Sequence, residues 1–219
     1  MKLLNKTQSG RSMVEMLGVL AIIGVLSVGG IAGYSKAMFK HKMNQTMDFI
    51  SQVVANIVTL DGKDIGFIET AQDAISSGIL PNCDVNYVNV YGQKGYSCPI
   101  PLGEISVGVF PDGYGNIVSA EIGFMQNPQE SCVSFLNSEF YKNVPDSWWK
   151  DDVYGTNGGY IVVRSDKDIK HVYSKSTYIL EYYSNEGVKD NLTPTDIANA
   201  CNICHDVEIC YIDIQMYIK

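Results

Sequence analysis

The longest apolar stretch of the chain lies near its N-terminus. Residues 13–33 form a run of 21 nearly uninterrupted apolar positions, and Glu15 is the only charged side chain in it. At ~1.5 Å per residue, a helix of this length spans the roughly 30 Å hydrocarbon core of a membrane. A carboxylate within such a core costs about 3 kcal/mol unless it is paired or lies at the interface. Glu15 is therefore a candidate functional residue.

The apolar pattern continues past the membrane-length run with a helical period. Apolar side chains recur every three or four residues at Phe39, Met43, Met47, Ile50, Val54, Ile57 and Val58. This spacing predicts a single helix over about residues 12–60, ended by Asp61-Gly62. Two helices separated at Gly29-Gly30 are the alternative, because each glycine destabilises a helix by about 1 kcal/mol.

The remaining pattern alternates between short helices and strands. We predict helices over 67–80, with Phe67 facing inward, from Pro128 onward, and from Thr193-Pro194 onward. Strands are predicted over 105–110, 117–125, 160–164, 177–183 and 207–217, the first two joined as a hairpin by 111–116. The predicted fold class is α+β, with a long N-terminal α-helix packed on an antiparallel β-sheet domain.

Charge and cysteine content narrow the environment of this domain. The formal net charge is −8, which disfavours binding to nucleic acid or to anionic lipid. All six cysteines follow residue 80, on the side that a membrane anchor would place outside the cytoplasm. An even number of cysteines in an oxidising compartment indicates a set of disulfides.

The residues before the apolar run form a recognisable pattern. A short leader with Lys2 and Lys6 ends at Gly10, and Glu15 is the fifth residue after that glycine. This pattern resembles the N-terminus of type IV pilins and pseudopilins. The resemblance implies cleavage after Gly10 by a prepilin peptidase and methylation of the new amino terminus at Arg11. A plain membrane anchor and a cleaved secretory signal are alternatives, but secretory cleavage follows the apolar segment instead of preceding it.

The resemblance also implies an organisation and a function. Residues 1–10 would be the prepilin leader, 11–62 the transmembrane and assembly helix, and 63–219 an exported pilin domain. The chain would be a structural subunit that polymerises through its helix into a pilus serving adhesion or motility. Its location would be the bacterial inner membrane with the domain in the periplasm, and then the extracellular pilus. Glu15 would pair with the amino terminus of a neighbouring copy, and a pseudopilin or minor pilin is the related alternative.

A looser resemblance to type IVb pilins extends into the exported domain. It rests on a helix with Pro128, Cys132 and Leu136, and on a late Ala200-Cys201-Asn202 helix followed by a strand. This layout implies a disulfide between Cys132 and Cys201. The remaining cysteines would then pair as Cys83 with Cys98 and Cys204 with Cys210. A competing set joins Cys132 to Cys210 and Cys201 to Cys204.

Two further features invite other interpretations. Cys201, Cys204 and His205 match the C-x-x-C-H signature of covalent c-type haem, so a membrane-anchored electron carrier is the alternative from another class. We predict no cofactor, no metal and no enzymatic activity, because the three histidines are scattered and no nucleophile-base spacing stands out. Residues 141–191 are an added region relative to the pilin layout, in which Trp148 and Trp149 are expected to be partly buried.

Overall fold

A computed structural model of the protein describes residues 13–60, 65–111, 116–150, 158–183, 185 and 187–218. The chain divides into two compact units, residues 1–41 and residues 42–219. The predicted leader, residues 1–10, lies outside the described residues.

The first unit consists of most of a single long helix. This helix, α1, runs from Met13 to Val58 and continues through Gly29 and Gly30, so the prediction of one helix is confirmed. Its last turns belong to the second unit, where Met43, Ile50, Val53 and Ile57 are buried. These buried residues recur at helical spacing, which explains why the apolar period of the sequence continues to the end of α1.

The second unit is built around a six-stranded antiparallel sheet. Its strands are β1 (Cys98–Ile100), β2 (Gly103–Pro111), β3 (Asn116–Phe124), β4 (Tyr160–Arg164), β5 (Ile169–Ser174) and β6 (Cys210–Ile218). They pair in the order β1-β2-β3-β6-β4-β5, so the last strand of the chain lies between β3 and β4. The α+β class and the antiparallel sheet predicted from the sequence are confirmed.

Alternation along the central strands gives the sheet two different faces. Every second side chain is buried and aliphatic, as in Val118, Ile122, Ile212 and Ile214, and these residues form an inner face. The residues between them form an outer face that includes Glu121 on β3 and Asp213 on β6, which are direct partners in the register. The inner face supplies the hydrophobic core, and the outer face carries the polar groups.

Short helices connect the strands. They are α2 (Ala71–Ser76), α3 (Pro128–Asn137), α4 (Thr177–Tyr182) and α5 (Pro194–Cys201), with 3-10 turns at Phe140–Asn143, Asp146–Trp148 and Asn202–Cys204. Thr70 and Thr193 each begin a helix with a capping box, in which the threonine hydroxyl accepts from the third helical N–H. Proline at the first position of α3 and α5 fits the helix starts predicted from Pro128 and Thr193-Pro194.

Three local predictions were wrong. Residues 177–182 form helix α4 and not a strand, because the Ser176 hydroxyl accepts from Ile179 N at 3.1 Å and caps a helix. The strand in this part of the chain is β5, which the sequence reading missed together with β1. Phe67 does not face inward: it is 62% exposed and contacts the ring of Phe110, while the adjacent Ile68 is buried and bridges to Val109.

The tryptophan pair is buried more completely than predicted. Trp148 and Trp149 are 1% and 0% exposed. The ring of Trp149 meets Tyr173 edge to face at 5.1 Å, and Tyr173 packs on Tyr141 at 4.5 Å. Both tryptophans are therefore core residues of the second unit, which rules out a surface contact for this pair.

Candidate functional site

The apolar half of α1 is the first candidate site. It is the one helix among the described residues that is long and apolar enough to cross a membrane, judged by length and composition only. Its best 18-residue window has a mean hydropathy of 2.2, and none of that window is buried. The large exposed apolar side chains of this half are Met16, Leu17, Val19, Leu20, Ile22, Ile23, Val25, Leu26 and Ile31. In a monomer in water this apolar surface would be exposed to solvent, so we expect lipid or protein to cover the helix.

Glu15 lies in the first turn of this helix. Its side chain is exposed, and its position near the helix N-terminus is favourable for a carboxylate by about 0.3–1 kcal/mol through the helix dipole. Gly10 and Arg11, the predicted cleavage and methylation residues, lie outside the described residues. The processing site and the assembly role of Glu15 therefore stay predictions.

Five glycines occur in the apolar half of α1. A Cβ atom placed on Gly18, Gly24, Gly29, Gly30 or Gly33 meets no other atom within 4 Å. Packing among the described residues therefore does not require glycine at these positions, although each glycine weakens the helix by about 1 kcal/mol. Close approach of a second helix is a physical reason for small residues on an apolar helix surface.

Three disulfides link segments of the second unit. Cys132 is bonded to Cys201, Cys83 to Cys98, and Cys204 to Cys210, with Cα separations of 5.8, 5.7 and 5.3 Å. This is the first of the two sets weighed from the sequence. The Cys132–Cys201 bond joins α3 to α5, and the Cys204–Cys210 bond lies against it, since the sulfurs of Cys132, Cys204 and Cys210 lie within 4.8 Å of one another.

The pairing bears directly on the c-type haem motif. Covalent haem attachment uses both thiols of C-x-x-C, and here Cys201 and Cys204 are bonded to two other cysteines. His205 is turned outward, with its imidazole 61% exposed and its Nδ1 atom 2.8 Å from the Asp206 carboxylate. Since disulfide sulfurs are not thiolates, the same bonds remove the ligands that a zinc site would use. The residues of this motif therefore do not fit a covalent haem or a thiolate-bound metal while the disulfides are intact.

The most strongly perturbed charges of the described residues lie on the outer face of the sheet. Arg164 on β4 donates from Nε to Asp213 Oδ2 at 3.0 Å and from Nη2 to Glu121 Oε2. Its guanidinium also lies over the Tyr211 ring, 4.4 Å from the centroid. Burial and the facing Asp213 carboxylate raise the pKa of Glu121, Arg164 lowers it, and the resulting pKa is about 7. We call Glu104, Glu121, Asp213 and Arg164 the outer-face cluster.

Sequence reasoning did not identify this cluster. Its members come from four strands and lie between 17 and 109 residues after the first member, Glu104, so no local motif joins them. A weak signal was present, because a charged residue in the middle of an alternating strand marks a polar face. Pairing of that face across strands depends on the strand order, which the sequence pattern does not give.

The three histidines lie on different elements of the chain. His41 lies on α1 and is exposed, His171 lies on β5 and stacks on Tyr183, and His205 follows the last 3-10 turn. The absence of enzymatic activity stays a prediction.

Comparison with known proteins gave no match to a protein-family model, to a curated protein or to a solved structure.

Proposed function

We propose that this chain is a structural subunit of a type IV pilus that polymerises through its N-terminal helix. The observation that carries the proposal is α1 itself, a continuous 46-residue helix from Met13 to Val58. Its first half is apolar and fully exposed, and its last turns are buried in an α+β unit. A subunit that leaves a membrane by polymerising needs both properties in one helix, because the apolar half exchanges lipid for neighbouring helices while the other half carries the domain.

The distribution of polar groups on α1 supports this role. Glu15 is the only charge in the apolar half, at the end nearest the predicted amino terminus at Arg11. An unpaired carboxylate is costly in a hydrocarbon environment, whereas a carboxylate that pairs with a cationic amino terminus offsets part of that cost. Pairing between neighbouring copies would therefore favour assembly and fix the axial register of the filament.

The disulfide set fits an extracellular filament. All six cysteines are bonded, and the largest loop, between Cys132 and Cys201, encloses the whole of the added region 141–191. Such bonds persist in oxidising compartments and stabilise a domain that has no cytoplasmic chaperones around it. The partners implied are other copies of the chain, the inner membrane before assembly, a prepilin peptidase and the assembly machinery.

The test follows the chain from membrane to filament. We expect N-terminal sequencing of the membrane-bound mature protein to begin at a methylated Arg11, and we expect the protein in filaments sheared from the cell surface. A Gly10→Glu variant should retain its leader and stay out of the sheared fraction. A mature start after residue 30 would contradict the proposal and favour ordinary secretion. Low abundance in otherwise normal filaments would assign the chain as a minor pilin, and retention in the periplasm as a secretion-system pseudopilin.

A further inference from the structure

The inference concerns the outer-face cluster and does not depend on the proposed function. Glu121 and Asp213 are direct cross-strand partners on β3 and β6, so their side chains leave the sheet side by side. Arg164 occupies the next strand, β4, where its register partner is Tyr211 of β6. On the other side, Glu104 of β2 leans over Gly123, since a Cβ added there would lie 3.4 Å from Glu104 Cγ and 3.1 Å from the Tyr211 ring.

The charges of this cluster do not balance if every carboxyl group is ionised. Glu121 and Asp213 share the guanidinium of Arg164, and the carboxylate of Glu104 adds a third negative charge that acts on Glu121. Glu104 is 4% exposed, and the Glu121 and Asp213 side chains are only 31% and 27% exposed. Like charges directly opposite in an antiparallel pair destabilise a sheet, and partial burial increases that repulsion.

The hydrogen bonding has a matching deficit. Asp213 Oδ2 accepts from Arg164, but Asp213 Oδ1 is buried and has no hydrogen-bond partner among the described residues. A buried acceptor without a donor destabilises the folded state, because it has lost its hydrogen bonds to water without replacing them. The Glu121 carboxyl group lies within hydrogen-bonding reach of Asp213, so a proton held there supplies a donor to this side chain.

Among the described residues named for its surroundings, Glu121 faces no cation besides Arg164. From β2 it faces Ser106 and, farther along, the carboxylate of Glu104; from β6 it faces Asp213 and Tyr211; from β4 it faces Arg164. The cleft beside it is lined by Glu69 and Tyr96, which add a further carboxylate and no cation. Tyr91 stacks on Tyr211 at 6.2 Å and covers the far side of the cluster with an uncharged ring.

We propose that Glu121 and Asp213 share one proton across the β3–β6 pair, and that loss of this proton as the pH rises through neutrality loosens the outer face of the sheet. The cluster thereby makes the stability of the domain sensitive to the pH of its surroundings. Below neutrality one negative charge of the pair is neutralised, and Arg164 balances the other. Above neutrality the two facing carboxylates compete for the same guanidinium.

The pKa shift supports this geometry and fixes its sign. The pKa of Glu121 is about 7 in the folded protein against 4.5 in a free side chain, so the folded state binds the proton more tightly than the unfolded state. The contribution of this proton to the free energy of unfolding is therefore fully present below about pH 4.5 and is lost as the pH rises to about 7. Since Glu121 is about one third exposed, we expect a roughly tenfold to hundredfold change in the unfolding equilibrium constant.

The experiment measures unfolding of the full chain in detergent micelles. Tryptophan fluorescence reports the exported domain alone, because the chain has only Trp148 and Trp149 and both are buried there. For wild type, the free energy of unfolding from urea titration should be lower at about pH 8 than at about pH 5. In Glu121→Gln that decrease should be absent. Glu139→Gln is the matched control, since Glu139 is an exposed carboxylate on the protein surface whose ion-pair partner is Lys142, and it should follow wild type.

Infrared spectroscopy gives a second readout that does not depend on refolding. Wild type should show the carbonyl band of a protonated carboxyl group at neutral pH, which disappears on raising the pH and is missing in Glu121→Gln. Asp213→Asn should also lose the band at neutral pH. Glu121 then faces no second carboxylate and pairs alone with Arg164, so it should be ionised. Parallel pH dependence in wild type and Glu121→Gln would overturn the proposal, as would a wild-type spectrum without that band.

Discussion

At the residue scale, two carboxylates illustrate how surroundings set the role of the same group. Glu15 is exposed on an apolar helix, so its energy depends on what surrounds that helix, whether lipid or a cationic partner. Glu121 is held by neighbours within the domain, where burial and Asp213 oppose its ionisation. We therefore expect Glu15 to act in assembly and Glu121 in the internal stability of the sheet.

We predict that Glu15→Leu leaves membrane insertion intact while reducing filament yield at least tenfold. The monomer in lipid gains by losing a carboxylate, by about 3 kcal/mol at the membrane centre and less near the interface, whereas the polymer loses its paired charge. The measurement is the amount of protein in the membrane and in the sheared filament fraction. Asp48→Ala, which removes an exposed carboxylate outside the apolar half of α1, should assemble as wild type. Normal filament yield from Glu15→Leu at normal expression would refute the assembly role.

At the element scale, α1 combines two surfaces that obey different rules. Over its last turns an apolar stripe is buried in the second unit, as in a helix of a soluble protein. Over its first half every described large apolar side chain is exposed, and glycines occur without an internal packing reason. The second pattern resembles a helix that packs against other helices in an apolar environment.

Gly29→Ala with Gly33→Ala should separate helix stability from helix packing. Each substitution raises intrinsic helix stability by about 1 kcal/mol, and nothing within 4 Å opposes the added methyl groups. We nevertheless expect filament yield to fall, because the two positions are four residues apart on one face and the methyl groups hold neighbouring helices apart. Circular dichroism in micelles and the sheared filament fraction are the two measurements. Asn44→Ala, also exposed on α1, should raise helicity without affecting assembly; unchanged filaments from the double variant would argue against close helix contact at these glycines.

At the scale of the whole molecule, the disulfides connect parts of the chain that the sheet alone does not. Cys132 and Cys201 are 69 residues apart and link α3 to α5. Cys204 and Cys210 are 6 residues apart and fasten the entry into β6. Since loop closure in the unfolded chain scales with loop length, the two bonds should contribute unequally.

Removing these bonds in turn should rank them. We expect Cys132→Ala with Cys201→Ala to lower the free energy of unfolding by about 4 kcal/mol, and Cys204→Ala with Cys210→Ala by about 2 kcal/mol. Urea titration with tryptophan fluorescence measures both. Peptide mapping without reduction should find Cys201 bonded to Cys132 in wild type, and an intact mass equal to the polypeptide less the hydrogens of three disulfides. A bond between Cys201 and Cys204, or an added mass that absorbs visible light, would revive the competing pairing or the haem interpretation.

The sequence by itself determined the elements whose signals are local. The apolar run and the spacing of three or four residues that follows it specify α1, because helical periodicity depends on residues within one or two turns of each other. The hairpin of β2 and β3 and the starts of α3 and α5 follow from alternation and from proline and threonine at helix starts in the same way. Gly10, Arg11 and Glu15 were selected by a motif within fifteen residues, although their roles still await the experiments above.

Only the tertiary structure decided what depends on distant pairing. The position of β6 between β3 and β4 brings Glu121, Arg164 and Asp213 together, although these residues lie far apart along the chain. Trp149 is covered by Tyr173 of β5, which packs in turn on Tyr141, and this contact joins separate segments of the chain. Residues 177–182 show the same limit at short range, where one serine cap outweighs a strand-like composition. Local periodicity fixes which element forms, whereas the partners of each face are fixed by the sum of many weak contacts across the folded chain.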